Sequence, residues 1–468
     1  MKHLFISLSY ILCVFFSCGQ IEYPITEKKI VTDTYFDIAV EDPYRWLEND
    51  NSSQVKEWIR AQNELTYSYL KQIPQREILK NRLEELWNYE KIGTPFKEGK
   101  YTYFYKNDGL QNQYVLYRKK GEGEGEVFID PNKFSEDGTI SLAGTYFSDD
   151  GSLLAYSISE GGSDWRKVIV IETENKTIVG DTLLDVKFSG ISWCGNKGFY
   201  YSSYEKPENS ILSGKTDKHK LYYHKLYNNQ KHDKVIFGQK EKFRYVSGRV
   251  TKDQNYLIIS ASNETSGNNL YIKDLNTDNS KLIQITYNFE SNSYITHNIQ
   301  SKLYISTNLN APNKKLIVVD ANNPHVENWI DFIPETQHVL SISKGGGYFF
   351  ANYFIDANSK IIQYNYAGKL VREVEFSGKG NASGFRGKED QKEIFYNFSN
   401  YITPTSSFKY NVETGASKLY WSPNIDFNSK NFVSDQHFFT SKDGTKVPIS
   451  IMYKKGVKLD GKNPTILY

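Results

Sequence analysis

A serine that attacks an acyl carbon commonly sits on a Gly-x-Ser-x-Gly elbow, a strand-to-helix turn that presents its hydroxyl to a histidine base. The 468-residue chain contains no such elbow. Gly161-Gly162-Ser163-Asp164-Trp165 comes nearest, but it lacks the closing glycine and lies among short strands, so it reads as a turn. Gly121-Glu122-Gly123-Glu124-Gly125 is not followed by the strand-to-helix unit that a dinucleotide fingerprint needs, and reads as a polar hairpin tip. Among the eight histidines, His219 and His224 are the most closely spaced useful pair. With no third ligand near them, no metal site is expected, and no cofactor either. Cys194, in Ile191-Ser192-Trp193-Cys194, is most simply a small core residue. Carboxylates are plentiful, but spacing singles out no acid–base pair.

The elements that would position any such chemistry are mostly strands. Asn51 or Ser52 caps an expected helix with Val55, Trp58, Ile59, Leu65 and Tyr69 at helical spacing, and Pro74 opens a second with Ile78, Leu79, Leu83 and Leu86. From about Lys97 to Trp421 the texture changes to short alternating runs rich in Tyr, Phe, Ile and Val, punctuated by Asp-Gly and Gly-rich turns. Phe147–Tyr156 matches Val250–Ile259 in pattern, and Arg166–Glu172 matches Asn269–Leu275 and Lys314–Asp320. The repeat spacing, on the order of 40–50 residues, is that of propeller blades, and about seven units fit. An array of two or three β-sandwiches is the other arrangement compatible with the pattern, although no linker interrupts the run.

Composition supports a folded, strand-rich chain: 39% hydrophobic, 15% aromatic, with 36 Tyr and 27 Phe against 2 Met. A net charge of +2 argues against a nucleic-acid partner, and three cysteines cannot build a disulfide scaffold. Leu4–Phe16, after Lys2 and His3, has the length of a signal-peptide core rather than a membrane span. Ser17-Cys18-Gly19 then resembles a bacterial lipoprotein processing site with Cys18 as the lipidated residue; an ordinary secretory signal with a chance cysteine is the alternative. Either reading expects export, to the periplasm or to an outer-membrane anchor of a bacterium. After Trp421 the pattern shifts again. A hairpin is expected across Ser441–Thr445, and Pro464–Tyr468 reads as the start of a buried strand, so the chain is expected to be truncated.

Several segments resemble the prolyl oligopeptidase family of serine peptidases: Glu41-Asp42-Pro43-Tyr44-Arg45-Trp46-Leu47-Glu48, Gly109–Tyr117, Gly162-Ser163-Asp164-Trp165, Val186-Lys187-Phe188-Ser189, Lys220–His224 and Ser441–Pro448 continuing through Lys454–Gly461. The resemblance runs in family order from about Tyr23 to Tyr468. It implies a mainly β protein, a seven-bladed β-propeller joined to an α/β-hydrolase domain. The domains would be a signal peptide (1–18), an N-terminal helical segment of the hydrolase domain (21–92), the propeller (93–425) and the first strands of the hydrolase domain (426–468). The family's nucleophilic Ser, Asp and His, and the Tyr that stabilises the oxyanion, would all lie beyond Tyr468, so the chain alone is expected to be inactive.

Non-catalytic roles carry over residue by residue. The resemblance makes Phe188 part of the substrate pocket beyond the proline site, with a plain core aromatic as the alternative. Tyr245 aligns with a second such position, where the family often has Met. Asp164 matches an acid that pairs with a substrate-binding Arg of the hydrolase domain; read locally, it is a turn-forming Asp. The implied function is an exported serine endopeptidase that cleaves short peptides after proline, the propeller limiting substrate size and the whole protein acting as a monomer. Its partners would be short proline-containing peptides, with membrane contact only through a lipid anchor. The sister oligopeptidase B group, which prefers basic residues, shares the architecture. A non-catalytic exported propeller that binds peptide or glycan is the competing reading.

Overall fold

The computed structural model describes residues 21–49, 51–207 and 216–468. Cys18 and the apolar run before it lie outside the described residues. The described residues form two compact units, the first up to Arg82 and the second from Leu83 onward.

In the N-terminal unit, Val31–Tyr35 pairs with Ile38–Asp42 across a two-residue turn. Phe36 and Asp37 both take positive φ (50° and 63°), the backbone that a primed hairpin turn demands. Arg45 closes the segment, donating Nε to Asp42 at 2.8 Å and pairing with Asp33. Part of the Glu41–Glu48 signature is thus a local electrostatic clip. Helix α1 (Ser53–Lys71) is tied to the preceding extended segment by the Trp58 indole, which donates to Thr26 at 2.9 Å. Of its residues only Val55 is buried, and α2 (Arg76–Trp87) buries none.

Among the described residues the second unit carries seven antiparallel sheets of four or five strands in strict chain order, followed by a two-stranded hairpin. Blade 1 uses Lys91–Ile92, Phe96–Glu98, Tyr101–Asn107, Val115–Lys120 and Glu126–Ile129. It opens earlier than the sequence pattern implied, because Lys91 and Ile92, which had been assigned to the helical segment, pair with Asn107 and Lys106. The inner strands of the other blades are Ile140–Phe147, Ser192–Cys194, Tyr245–Val250, Ser293–Ile299, Leu340–Gly345 and Asn381–Arg386, and each is followed by three more strands of its own sheet.

Alternation within these strands puts one row of side chains toward each neighbouring blade. Six buried clusters result, one at each successive interface. Tyr103 and Leu116 meet Leu154; Val168 and Val170 meet Trp193 and Phe199; Leu221 meets Leu257 and Ile259. Further round, Ile258 and Leu270 meet Ile295 and Leu303, Tyr304 and Leu316 meet Phe349, and Phe350 meets Phe385 and Ile394. Among the described residues no sheet combines strands of blades 7 and 1; Lys388 of blade 7 reaches Glu98 of blade 1 at 3.0 Å.

Beyond blade 7, Phe432–Thr440 and Lys446–Lys454 form a hairpin of their own. Gln436 fixes it to the propeller, donating to the Asp356 carbonyl at 2.5 Å and accepting from Lys379 at 3.0 Å. Pro464–Tyr468 does not form the strand expected of it. It is irregular and fully accessible at Ile466 and Leu467, because an extended apolar segment becomes a strand only beside a partner edge, and none of the described strands pairs with it.

Candidate functional site

Antiparallel connection fixes which loops share a face. The loops that enter each inner strand, and the turns between second and third strands, lie on one face of the propeller; the turns between first and second strands lie on the other. Phe188 belongs to the loop entering blade 3, and Tyr245 is the first residue of blade 4's inner strand. Tyr204 directly follows the second strand of blade 3. All three therefore come to the first face, the one that also carries the terminal hairpin.

There they touch. The Phe188 ring centre lies 5.9 Å from that of Tyr245 and 6.2 Å from that of Tyr204, the latter edge-to-face at 84°. Phe188 is 44% exposed while Tyr204 is buried, so Phe188 is a presented ring backed by a fixed one. Its backbone sits at φ +52°, in the left-handed region that costs a Cβ-bearing residue about 1–2 kcal/mol. In this fold Phe188 is therefore exposed, unlike Phe385, a core aromatic buried at a similar positive φ.

His219 holds the group together. Its buried ring accepts the Val246 N–H at Nδ1 (2.8 Å) and, as the Nε2–H tautomer, donates to the Lys187 carbonyl (3.0 Å). It thus ties the residue after Tyr245 to the residue before Phe188. It also stacks on Tyr204 at 4.2 Å, and the Tyr204 hydroxyl donates to the Arg244 carbonyl. Burial pulls the imidazole down to about 4 and pushes the Tyr204 phenol up to about 12, so both are neutral near pH 7. The other histidine of the pair, His224, bonds Asp233 at 2.9 Å inside blade 3. Both are structural groups serving separate partners.

Two cations flank the rings. The buried Lys187 ammonium lies 5.2 Å from the centre of Phe188 and 4.9 Å from that of Trp165, with no carboxylate partner among the described residues. The Arg244 guanidinium lies 5.5 Å from Tyr245. Asp164 is on the same face, in the turn made by Gly161 and Gly162 at positive φ, but it is exposed and has no ion-pair or hydrogen-bond partner among the described residues. Tyr204, His219, Lys187 and Arg244 were not selected by sequence pattern as parts of this site. The available signal was adjacency to Phe188 and Tyr245. Chemically, the arrangement offers a flat apolar wall with a positive edge, suited to an apolar or aromatic side chain of an extended ligand.

The described residues thus make a seven-bladed propeller with a cluster of aromatic side chains on one face. The family model for the prolyl oligopeptidase N-terminal β-propeller domain matches residues 23–423. The chain is 55% identical over 451 residues to a prolyl endopeptidase of Elizabethkingia meningoseptica, covering 96% of this chain and 64% of that relative. A solved structure from a study of two prolyl endopeptidases superposes with a TM-score of 0.82 at 28% identity, covering 93% of this chain and 65% of that one. Prolyl oligopeptidase B of Galerina marginata, solved with a 35mer hydrolysis and macrocyclisation substrate, superposes at 0.81 with 29% identity, covering 94% and 66%. The chain belongs to the prolyl oligopeptidase family.

Proposed function

We propose that this chain is the N-terminal and propeller portion of an exported serine endopeptidase that cleaves short peptides after proline. The observation that carries the reading is the Phe188–Tyr204–Tyr245 wall, on the face of the propeller that also holds the terminal hairpin. In this role Phe188 and Tyr245 receive the side chain that lies ahead of the proline, and the ring of blades admits only chains narrow enough to reach them. Asp164 then awaits a cation from the catalytic domain. In such an enzyme a catalytic domain supplies the nucleophile, its histidine base and the oxyanion donors, and the exposed apolar hairpin residues Phe438, Ile449 and Ile451 would pack against its sheet.

The test joins residues 1–468 to the remaining catalytic portion of the Elizabethkingia meningoseptica prolyl endopeptidase. The fusion is expected to release chromophore from a peptide ending in proline, with full loss on treatment with a fluorophosphonate, while residues 1–468 alone are inert. Turnover by the unfused chain would contradict the reading.

Export completes the proposal. Leu4–Phe16 directs secretion and Cys18 carries the lipid. Cys18→Ala is expected to move the protein from the membrane to the soluble fraction or to block processing; an unmodified mature N-terminus downstream of Cys18, read by mass spectrometry, would contradict it.

A further inference from the structure

The opposite face of the propeller holds a cavity of about 1000 Å³ between blades 1, 4, 5, 6 and 7, walled in part by Glu98, Arg249, His297, Lys344, Arg386 and Glu389. Six cations line it against four carboxylates.

Two of those cations converge on blade 5 from either side. The inner strand of blade 5 shifts register between Ile295 and His297, as at a β-bulge. Arg249 of blade 4 donates to the Ile295 carbonyl, and Lys344 of blade 6 donates to His297 Nδ1 at 2.9 Å. Among the described residues neither has a carboxylate within 4.0 Å, and these are their only side-chain hydrogen bonds. The carboxylates nearby are otherwise engaged. Asp253 is saturated by neutral donors: Thr251 Oγ1 (2.7 Å), the Asn255 amide N–H and side chain (3.2 and 2.6 Å) and Asn298 (2.6 Å). Glu389, more than half exposed, approaches only His297 Nε2, at 3.4 Å and outside hydrogen-bond geometry. Burial and the neighbouring Arg249 both push the Lys344 amine down, while Glu389 opposes them.

Arg249 is exposed and Lys344 half-buried on the cavity wall, so their remaining N–H donors face the solvent-filled cavity, where an anion can take the place of water. We propose that Arg249 and Lys344 form an oxyanion site, taking one carboxylate or phosphate group of a small ligand. Arg249 supplies the planar fork and Lys344 the point charge. The inference does not depend on the peptidase reading, since neither residue lies on the face that carries Phe188.

The test is calorimetric titration of the whole chain with inorganic phosphate in chloride-free, low-salt buffer. Parallel titrations use an acetylated dipeptide with a free C-terminal carboxylate and the same dipeptide as its amide. Binding of phosphate or of the acid, but not of the amide, is expected; phosphate alone would mark a free oxyanion as the source, and the acid alone a peptide terminus. Arg249→Gln, which can still reach the Ile295 carbonyl, and Lys344→Met should each weaken binding about tenfold or more. Lys418→Gln, an exposed charge on the outer strand of blade 7, should leave it unchanged. Thermal melts without ligand establish that the variants are folded. No saturable binding by the parent chain, or equal binding by folded Arg249→Gln and Lys344→Met, overturns the proposal.

Discussion

His219 does two jobs with one tautomer: Nδ1 must accept from Val246 while Nε2 donates to Lys187. Burial pulls this imidazole from its ordinary 6.5 to about 4, against the opposing hydrogen bond to the Lys187 carbonyl. The unfolded chain binds the proton at about 6.5 and the folded chain only at about 4, so between those values the unfolded state holds more protons. Stability contributed by neutral His219 is therefore present above pH 6.5 and lost as pH falls toward 4, by at most about 3 kcal/mol. His297, pulled down to about 4 by its burial and by Lys344, acts in the same direction. The urea midpoint is expected to drop steadily between pH 6.5 and 4.5; a flat midpoint across that window would show that neither ring stays neutral in the folded protein. This role is not legible in local spacing, because two histidines five residues apart invite a search for metal, whereas the partners of His219 are backbone groups 32 and 27 residues away.

Strands and turns were the more legible scale. The matched segments Phe147–Tyr156 and Val250–Ile259 are the same structural piece: in each, the inner strand ends on the first residue, and the second strand begins six residues on, at Leu153 and Tyr256. Arg166–Glu172, Asn269–Leu275 and Lys314–Asp320 cover third strands of blades 2, 4 and 5. These elements could be read because local alternation and turn chemistry dictate them. Tertiary pairing could not be: Lys91–Ile92 is a strand only through its partner in blade 1, and Pro464–Tyr468 is not one for want of a partner. The aromatic wall was half legible, through Phe188 and Tyr245, while Arg249 and Lys344 lie 95 residues apart on different blades and no spacing rule joins them. Turn chemistry also makes a sharp prediction. Gly267 takes φ +77°, and a Cβ there would fall 1.5 Å from the Phe289 carbonyl oxygen. Gly267→Ala must open the loop beside the third strand of blade 4 and is expected to cost about 2–4 kcal/mol in a denaturant titration. A loss within a few tenths would mean that this loop is not packed as described.

At the scale of the molecule, stability and recognition are spread differently. Six apolar interfaces join successive blades, whereas the contact between blades 7 and 1 includes the partly exposed Lys388–Glu98 pair, of a kind worth about 0–1 kcal/mol. The ring thus folds on its neighbouring-blade contacts and offers two unlike faces, one with an aromatic wall and one with a charged cavity. The chain spans 64% of the length of its Elizabethkingia meningoseptica relative, so peptide cleavage is a property to be tested in the joined protein. The most direct measurement is kcat/KM of the fusion for two peptides that differ only two positions before the proline, one with phenylalanine there and one with glycine, each with the parent and with Phe188→Ala. The account predicts a loss of roughly five- to 150-fold for the phenylalanine peptide, equivalent to about 1–3 kcal/mol of lost aromatic contact, and almost none for the glycine peptide. Equal losses for both peptides would contradict it, and would make Phe188 a support for the fold rather than a surface that reads substrate.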